Sequence, residues 1–201
     1  FTTVLLLFPH VQPRGVSRIA MYEPNHEHQD IAKAFQSSNF FWLYSTNYHV
    51  PEVTDKACIG IQIWGVSKNG LNYSTTFTMN NISETINYTG SFYSSWPIYN
   101  TKGNEPRNTS NALYFASKTG KGNTLETNFS LIYSDYKKCL IFLALKNPIE
   151  NVVQDPGYLE QTEHNCILLV TDSKARDGMN ASHSTTDECQ SMYHNACHKY
   201  L

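Results

Sequence analysis

Charged residues are scarce in this chain, and neither sign is in clear excess. They make up 16% of the 201 residues, with 15 Lys and Arg against 17 Asp and Glu and a formal net charge of −2. A nucleic-acid-binding domain normally carries a basic face that contacts phosphates, so this composition excludes that class. After the N-terminus, no segment approaches the ~18 consecutive apolar residues of a membrane span. The sequence therefore predicts neither a nucleic-acid partner nor a membrane partner.

Catalytic signatures are missing as well. The chain has no G-x-S-x-G nucleophile elbow, no phosphate-binding loop and no H-E-x-x-H zinc motif. His194 and His198 are four residues apart beside Cys197, a spacing that can bind a metal, but we interpret them as solvated helix residues. A Cys–His hydrolase is disfavoured because cysteines of secreted domains are usually bridged. We therefore expect no enzyme activity, no catalytic residue, no metal and no cofactor.

The N-terminal segment predicts secretion. It opens with the apolar run Phe1–Phe8 and has no initiator Met. Gly15 and Ser17 are small residues at the spacing of a signal-peptidase site. We interpret residues 1–17 as the remainder of a secretory signal, with an apolar N-terminal strand as the alternative. Residues 18–201 fall within the size of one domain.

Sequons and cysteines support the same compartment. Five cysteines in one domain favour a disulfide framework, and N-x-[ST] sequons accept glycans in secreted proteins. The predicted glycosylation sites are Asn72, Asn81, Asn87, Asn108, Asn128 and Asn180.

Strand-like segments dominate the chain between two short helices. The chain is rich in Tyr and Phe, which favour strands, and turn signals such as Asn69-Gly70 separate the segments. The helices are predicted at 27–36 and from about residue 185 onward. The strands are predicted at 39–48, 57–66, 71–79, 84–93, 112–118, 124–134, 139–146 and 165–172. The predicted fold is all-β, an eight-stranded antiparallel barrel, because closure removes exposed strand edges.

The sequons also predict which side chains face the barrel interior. A glycan must face water, and strand side chains alternate between the two faces. With Asn72, Asn87 and Asn128 outside, the inward residues are mostly aromatic or aliphatic. The aromatic ones are Tyr73, Phe77, Tyr88, Phe92, Phe129 and Tyr133. Such a set predicts a ligand cavity whose Tyr hydroxyls meet a ligand, with a filled core as the alternative.

The C-terminal helix is predicted to be held on the barrel wall by disulfides. Cys189 and Cys197 share its apolar face with Met192, Tyr193 and Ala196 at helical spacing. Their partners should be strand cysteines that face outward. Cys58, which alternates with three inward isoleucines, and Cys139 are reasonable candidates.

Taken together, residues 27 to 197 resemble the tick salivary lipocalins, the family that includes the tick histamine-binding proteins. No single motif carries the resemblance, but several coincide along the chain. They are Phe41-Trp42-Leu43-Tyr44, Lys56-Ala57-Cys58, Tyr136-Lys137-Lys138-Cys139, the run Cys166–Asp172, and Cys189-x3-Tyr193-x3-Cys197. The Gly-x-Trp motif of lipocalins is not intact, because Phe40 occupies the Gly position.

The resemblance implies a lipocalin domain over residues 18–201, secreted in saliva, that captures a small host mediator such as histamine, serotonin or a leukotriene and so evades host immune defence. It implies the disulfides Cys58–Cys197 and Cys139–Cys189. The swapped pairing stays open, Cys166 is an alternative partner, and the odd cysteine would be a free thiol or an intermolecular bridge.

Two residues depart from the amine-binding members of that family. Those members carry acids directly after the cysteine of the seventh strand and in the eighth strand, where this chain has Leu140 and Ile167. Both should face inward, and a buried cation without a counter-charge is costly. We therefore expect a lipid or amphipathic ligand rather than a small amine. The expected lining residues are Trp42, Tyr44, Tyr73, Phe77, Tyr88, Phe92, Phe129, Tyr133, Leu140 and Ile167.

A protein-binding module is the alternative function. In that case the barrel is filled, and loops 94–111 and 147–163 bind a host defence protein.

Overall fold

The protein is described by a computed structural model. The described residues are 20–21, 23–48, 58–79, 82–95, 98–100, 103–118, 124–145, 165–177 and 188–197. The predicted signal remnant, the glycosylation sites Asn81 and Asn180, and His198 lie outside these ranges.

Eight of the strands within the described residues form a closed antiparallel barrel. They are β1 (Phe40–Thr46), β2 (Cys58–Ser67), β3 (Gly70–Met79), β4 (Ile82–Tyr93), β7 (Ala112–Lys118), β8 (Thr124–Ser134), β9 (Cys139–Leu145) and β10 (Cys166–Thr171). The order around the barrel is β1-β10-β9-β8-β7-β4-β3-β2. Pairing of β1 with both β2 and β10 closes the ring. The predicted all-β barrel is confirmed.

A small hairpin was not predicted. Strands β5 (Ile98–Asn100) and β6 (Gly103–Glu105) pair with each other and form a separate two-stranded sheet. This region is predicted to be a loop before β7, because its Pro, Gly and Asn residues favour turns.

The N-terminal helical region closes one end of the barrel. A 3-10 helix (Glu23–His28) leads into helix α1 (Ile31–Gln36), whose N-cap Asp30 accepts a hydrogen bond from the Lys33 backbone N–H. The predicted helix 27–36 therefore begins too early, because the N-cap is Asp30 and the α-helix starts at Ile31. Ile31, Ala34 and Phe35 are buried in the interior cluster at this end of the barrel.

Two further helices follow the last strand. Helix α2 (Asp172–Asp177) continues directly from β10, and helix α3 (Glu188–Cys197) packs on the outer wall. The buried residues of α3 include both its cysteines, as its apolar periodicity predicts. Among the described residues, no helix is long and apolar enough to cross a membrane.

The apolar side chains form two layers, one on each side of the barrel wall. The interior cluster fills the barrel and includes Phe35, Phe41, Leu131, Leu140 and Phe142. The wall cluster lies between α3 and the outer face of β8, β9 and β10. Strands β9 and β10 contribute to both clusters, which is why each is apolar along its whole length rather than alternating.

Bulges interrupt the alternation of side chains on three strands. The pairing register shifts between Leu43 and Ser45 in β1, between Ile63 and Gly65 in β2, and between Leu131 and Tyr133 in β8. A bulge inserts one extra residue and so reverses which face the following residues occupy. Three bulky residues, Tyr44, Trp64 and Ile132, occupy these positions.

Tyr136 joins the β8–β9 turn to the N-terminal helices. Its hydroxyl donates to the Glu27 carbonyl oxygen at 2.7 Å and accepts from the Asp30 backbone N–H at 2.9 Å. The Lys33 ammonium lies 4.0 Å from the centre of its ring. Burial is the main cause that raises the pKa of this phenol. Tyr136 therefore holds the end-closing helix in place.

Candidate functional site

Phe35 forms the floor of the barrel interior. Helix α1 places its ring 5.7 Å from Phe142 and 6.2 Å from Phe92 in stacked geometry, and 6.1 Å edge-on from Phe41. All four rings are buried. Offset and edge-to-face aromatic pairs at these separations are favourable beyond the area that they bury. This end of the barrel is therefore packed solid.

An aromatic cluster lines the interior above this floor. Tyr73 and Tyr88 stack at 5.1 Å, and Phe115 packs edge-on against them at 6.0 and 5.2 Å. Phe129 continues the series at 6.0 Å from Phe115 and 6.4 Å from Phe142. Tyr88, Phe115 and Phe129 are only partly buried, unlike the rings at the floor. The interior thus changes from filled to accessible away from α1.

The Tyr73 hydroxyl is a polar group within this apolar surface. Its side chain is buried, and no described residue forms a hydrogen bond with the hydroxyl. Burial, and secondly the neighbouring Tyr88, raise its pKa above the ordinary value, so the phenol stays neutral at physiological pH. The hydroxyl oxygen is not among the fully enclosed polar atoms that lack a partner, so water or a ligand atom can reach it. A ligand atom would supply the missing partner.

Leu140 and Ile167 lie in the interior, as alternation predicts. Leu140 is fully buried in the interior cluster, and Ile167 packs against that cluster while keeping some exposure. Leu140 pairs with Leu169 and Ile167 pairs with Phe142 across β9 and β10. Among the residues whose burial the structure describes, no Asp or Glu is buried. The interior chemistry is therefore apolar and aromatic.

Five other predicted lining residues also face the barrel interior. Tyr73, Tyr88 and Phe129 are part of the aromatic cluster, whereas Phe92 lies at the floor against Phe35. Phe77 is partly buried and shares the inward register of Tyr73 on β3, closer to the open end.

Three predicted lining residues lie outside the barrel instead. Trp42 packs against the wall cluster, and its indole N–H donates to Asp172 Oδ1 at 3.0 Å. Tyr44 occupies the β1 bulge and is 40% exposed. Tyr133 follows the β8 bulge, which turns its ring outward against His28 at 5.0 Å. The prediction for Tyr133 failed because the alternation counted from Asn128 does not continue through a bulge.

Phe115 and Phe35 are interior residues that the sequence analysis missed. Phe115 alternates with Tyr114 on β7, but no sequon on that strand indicated which of the two faces inward. Phe35 was placed on the apolar face of α1, yet nothing in the sequence shows that this face enters the barrel. Thr75, which alternation from Asn72 predicts to face inward, adds a buried hydroxyl on the same register of β3 as Tyr73.

The disulfides correct part of the expected pairing. Cys139 is bonded to Cys189, as the resemblance implied, but Cys197 is bonded to Cys166 rather than to Cys58. Cys139 and Cys166 begin neighbouring strands under α3. Cys58 begins β2, which β1 separates from β10, and it is an exposed free thiol. The expected Cys58–Cys197 bond is therefore wrong.

One group of possible metal ligands occurs among the described residues, namely Asp135, Cys139 and Cys189. Its two sulfur atoms are bonded to each other. Asp135 Oδ1 accepts hydrogen bonds from the backbone N–H groups of Lys137, Lys138 and Cys139. These atoms stabilise the β8–β9 turn and are not available as a ligand set.

The sequon asparagines differ in exposure. Asn72, Asn87 and Asn108 are exposed, and their glycosylation stays a prediction. Asn128 is only 4% exposed, and its Oδ1 accepts a hydrogen bond from the Tyr93 hydroxyl at 3.1 Å. The expectation that Asn128 faces water is wrong, because Tyr93 covers the outer face of β8 at this point. Its glycosylation stays a prediction, which this burial disfavours.

A closed eight-stranded antiparallel barrel with a helix on its wall and an apolar interior is the architecture of a lipocalin. Sequence comparison is more specific, because the family model described as tick histamine binding protein matches residues 19–200. The chain belongs to the tick histamine-binding protein family, which confirms the resemblance noted in the sequence.

Two other comparisons add nothing to this assignment. Comparison with curated proteins gives no significant match. Among solved structures, the chain is similar to one titled "The Siderocalin Ex-FABP functions through dual ligand specificities", at 8% identity and a TM-score of 0.42. That match covers 79% of this chain and 82% of the other.

Proposed function

We propose that this protein is a secreted salivary lipocalin that sequesters a small host mediator without transforming it. The favoured ligand has an apolar or amphipathic body, as a leukotriene or another lipid mediator has. Such capture would blunt the inflammatory response of the host. Membership of the tick histamine-binding protein family supports a role in binding small molecules.

The apolar character of the interior supports a lipid over a small amine. Leu140 and Ile167 stand where amine-binding relatives are expected to carry acids, and both contribute to the interior cluster. An ammonium group there would lose its hydration without gaining a counter-charge, at a cost of several kcal/mol. Hydrocarbon buried on the same surface would gain about 25 cal/mol per Å². The balance of these two terms favours an apolar ligand.

The Tyr73 hydroxyl supports an amphipathic rather than a purely apolar ligand. Its side chain is buried, its oxygen is not fully enclosed, and no described residue is hydrogen-bonded to it. A carboxylate, hydroxyl or carbonyl oxygen of the ligand would accept a hydrogen bond from it, and a hydrogen bond to a charged acceptor is worth about 1.5–3 kcal/mol. The partly buried rings of Tyr88 and Phe115 lie beside it and would contact the adjoining hydrocarbon.

A fluorescent fatty-acid probe tests this proposal directly. We expect saturable binding to the oxidised protein, and displacement of the probe by a leukotriene. The variant Ile167→Trp should lose probe binding, because the larger ring fills the accessible part of the interior. Trp64→Ala on the outer wall should bind as the wild type does.

The opposite pattern would contradict the proposal. Probe binding that survives Ile167→Trp but is lost in Trp64→Ala would place the site on the outer wall. No binding of the probe, of a leukotriene or of an amine would favour the protein-binding alternative through loops 94–111 and 147–163, the second of which lies outside the described residues.

A further inference from the structure

Trp64 is the most exposed aromatic side chain among the described residues, at 69%. It occupies the β2 bulge and points away from the interior cluster. Its indole N–H donates to Ser74 Oγ at 3.1 Å, so the ring is held in one position on the outer wall. An indole presents a large apolar face beside its polar N–H, so a group that covers this face removes apolar surface from water.

The surface beside Trp64 consists of two sequons in direct register. Strands β3 and β4 pair Asn72 with Thr89, Tyr73 with Tyr88 and Ser74 with Asn87. The central tyrosines of both sequons stack inside the barrel, while Asn72 and Asn87 are exposed outside. Diagonal neighbours on paired strands are about 7–8 Å apart, so the two asparagines share one small area of the wall.

The Asn72 side chain is oriented for modification at its nitrogen. Thr89 Oγ1 donates to Asn72 Oδ1 at 3.0 Å, which fixes the amide plane. Among the described residues, none is hydrogen-bonded to Asn72 Nδ2. The group that carries an N-linked sugar therefore points outward and is unoccupied.

Space for a sugar exists directly across from Asn72. Gly65 is its register partner on β2, and a Cβ added at Gly65 would meet no atom within 4 Å. Trp64 is the next residue along, and the indole N–H is bonded to Ser74, the third residue of the Asn72 sequon. An open position and an indole thus flank the Asn72 nitrogen on the neighbouring strand.

We propose that Asn72 carries an N-linked glycan whose first sugar packs against the exposed face of Trp64. The oligosaccharide is transferred from a lipid-linked diphosphate donor. A bond forms between Asn72 Nδ2 and the anomeric carbon of the first sugar, and the bond between that carbon and the diphosphate breaks. The amide gives up one proton, and the lipid diphosphate leaves. The carbon–hydrogen face of the sugar covers the indole and removes its apolar surface from water. The glycan is then part of the outer wall, and the ligand site inside the barrel is independent of it.

The experiment uses the full chain secreted from insect cells behind a heterologous signal peptide. Glycopeptide mass spectrometry should find the sugar at Asn72. Acrylamide quenching of tryptophan fluorescence should then be compared between the wild type and Asn72→Gln. The fluorescence that is lost in Trp64→Phe defines the Trp64 signal. We expect the quenching constant of that signal to rise severalfold in Asn72→Gln. Asn87→Gln, which removes the neighbouring glycan, is the matched control and should leave the signal unchanged.

Three results would overturn the proposal. An unmodified Asn72 would leave Trp64 exposed for a partner molecule. An occupied Asn72 with the same Trp64 quenching before and after Asn72→Gln would show that the sugar does not contact the ring. If the quenching constant of the Trp64 signal rises as much in Asn87→Gln as in Asn72→Gln, neither glycan covers Trp64 specifically.

Discussion

At the scale of single residues, the chemistry of the interior depends on a few side chains that face it. Leu140 and Ile167 make the inner surface of β9 and β10 apolar, and Tyr73 adds a hydroxyl to which no described residue is hydrogen-bonded. The strand pattern predicted all three orientations, because each lies on a stretch where alternation is uninterrupted.

Removing the Tyr73 hydroxyl should weaken ligand binding without weakening the fold. In Tyr73→Phe the ring still stacks on Tyr88, so we expect an unchanged midpoint of denaturant unfolding. The ligand would lose one hydrogen bond to its carboxylate, worth about 1.5–3 kcal/mol, so its affinity should fall about tenfold or more. Calorimetric titration of both proteins with the same leukotriene measures this difference.

Tyr93→Phe is the matched control on the opposite face of the wall. Its hydroxyl donates to Asn128 Oδ1, and burial raises the pKa of this phenol to about 12. We expect this variant to lose about 1 kcal/mol of stability and to keep its ligand affinity. The reverse pattern, with Tyr73→Phe destabilised and still binding normally, would mean that the Tyr73 hydroxyl serves the fold.

His26 should make the closed end of the barrel sensitive to acid. Its pKa is lowered chiefly by burial and secondly by Arg107, against smaller opposing effects of Asp30 and Glu23. A base with a depressed pKa binds fewer protons when folded than when unfolded. The stability that it contributes is therefore present above the ordinary pKa of about 6.5 and is lost as the pH falls below it.

Thermal unfolding as a function of pH tests this expectation. The midpoint of the wild type should fall more steeply between neutral and mildly acidic pH than that of His26→Phe, whose ring cannot be protonated. The two proteins should differ least at pH values where the histidine is neutral in both states. Identical pH dependence in both would exclude His26 as the titrating group.

At the scale of helices and strands, the predictable features were those with a regular period. The eight barrel strands and the buried face of α3 follow from alternation and helical spacing. The three bulges could not be predicted in this way, because an extra residue shifts the pairing register without changing the composition of the strand. Tyr133 was misplaced for this reason. In the structure, the Gln29 side chain donates to the carbonyl oxygen of Ile132 at the β8 bulge, a contact between residues far apart in sequence.

The disulfide pairing likewise depends on which strands become neighbours. Sequence spacing predicts which cysteines face outward. It does not predict which strand lies beneath the end of α3, and in the structure this strand is β10 rather than β2. The Asn47 side chain also bridges these parts, donating to the Cys197 carbonyl and accepting from the Cys166 N–H at 2.8 and 2.7 Å. A contact of this kind has no signature in the local sequence.

Cysteine variants test the corrected pairing. Cys197→Ser removes a bond that closes a loop between residues separated by 31 positions, and the chain-entropy model gives a loss of about 3–4 kcal/mol for such a loop. Cys58→Ser should leave the denaturant midpoint unchanged. Peptide mapping without reduction should recover Cys166 linked to Cys197. A Cys58–Cys197 peptide, or a strongly destabilised Cys58→Ser, would restore the pairing that the family resemblance implied.

At the scale of the whole molecule, the barrel has one packed end and one accessible end. Helix α1 closes the first with Phe35, and Tyr136 holds that helix against the β8–β9 turn. Helix α3 and two disulfides cover the outer wall of β9 and β10. These elements leave the aromatic surface around Tyr88 and Phe115 as the part of the interior that a ligand can reach.

Calorimetric titration of the oxidised wild-type protein with a leukotriene, histamine and serotonin tests this account most directly. Leukotriene binding should be tight and accompanied by a negative heat-capacity change, because it buries apolar surface. Histamine and serotonin should bind weakly or not at all, because none of the acids whose burial the structure describes lies buried where it could pair with their ammonium groups. Submicromolar histamine binding together with no leukotriene binding would contradict the central claim.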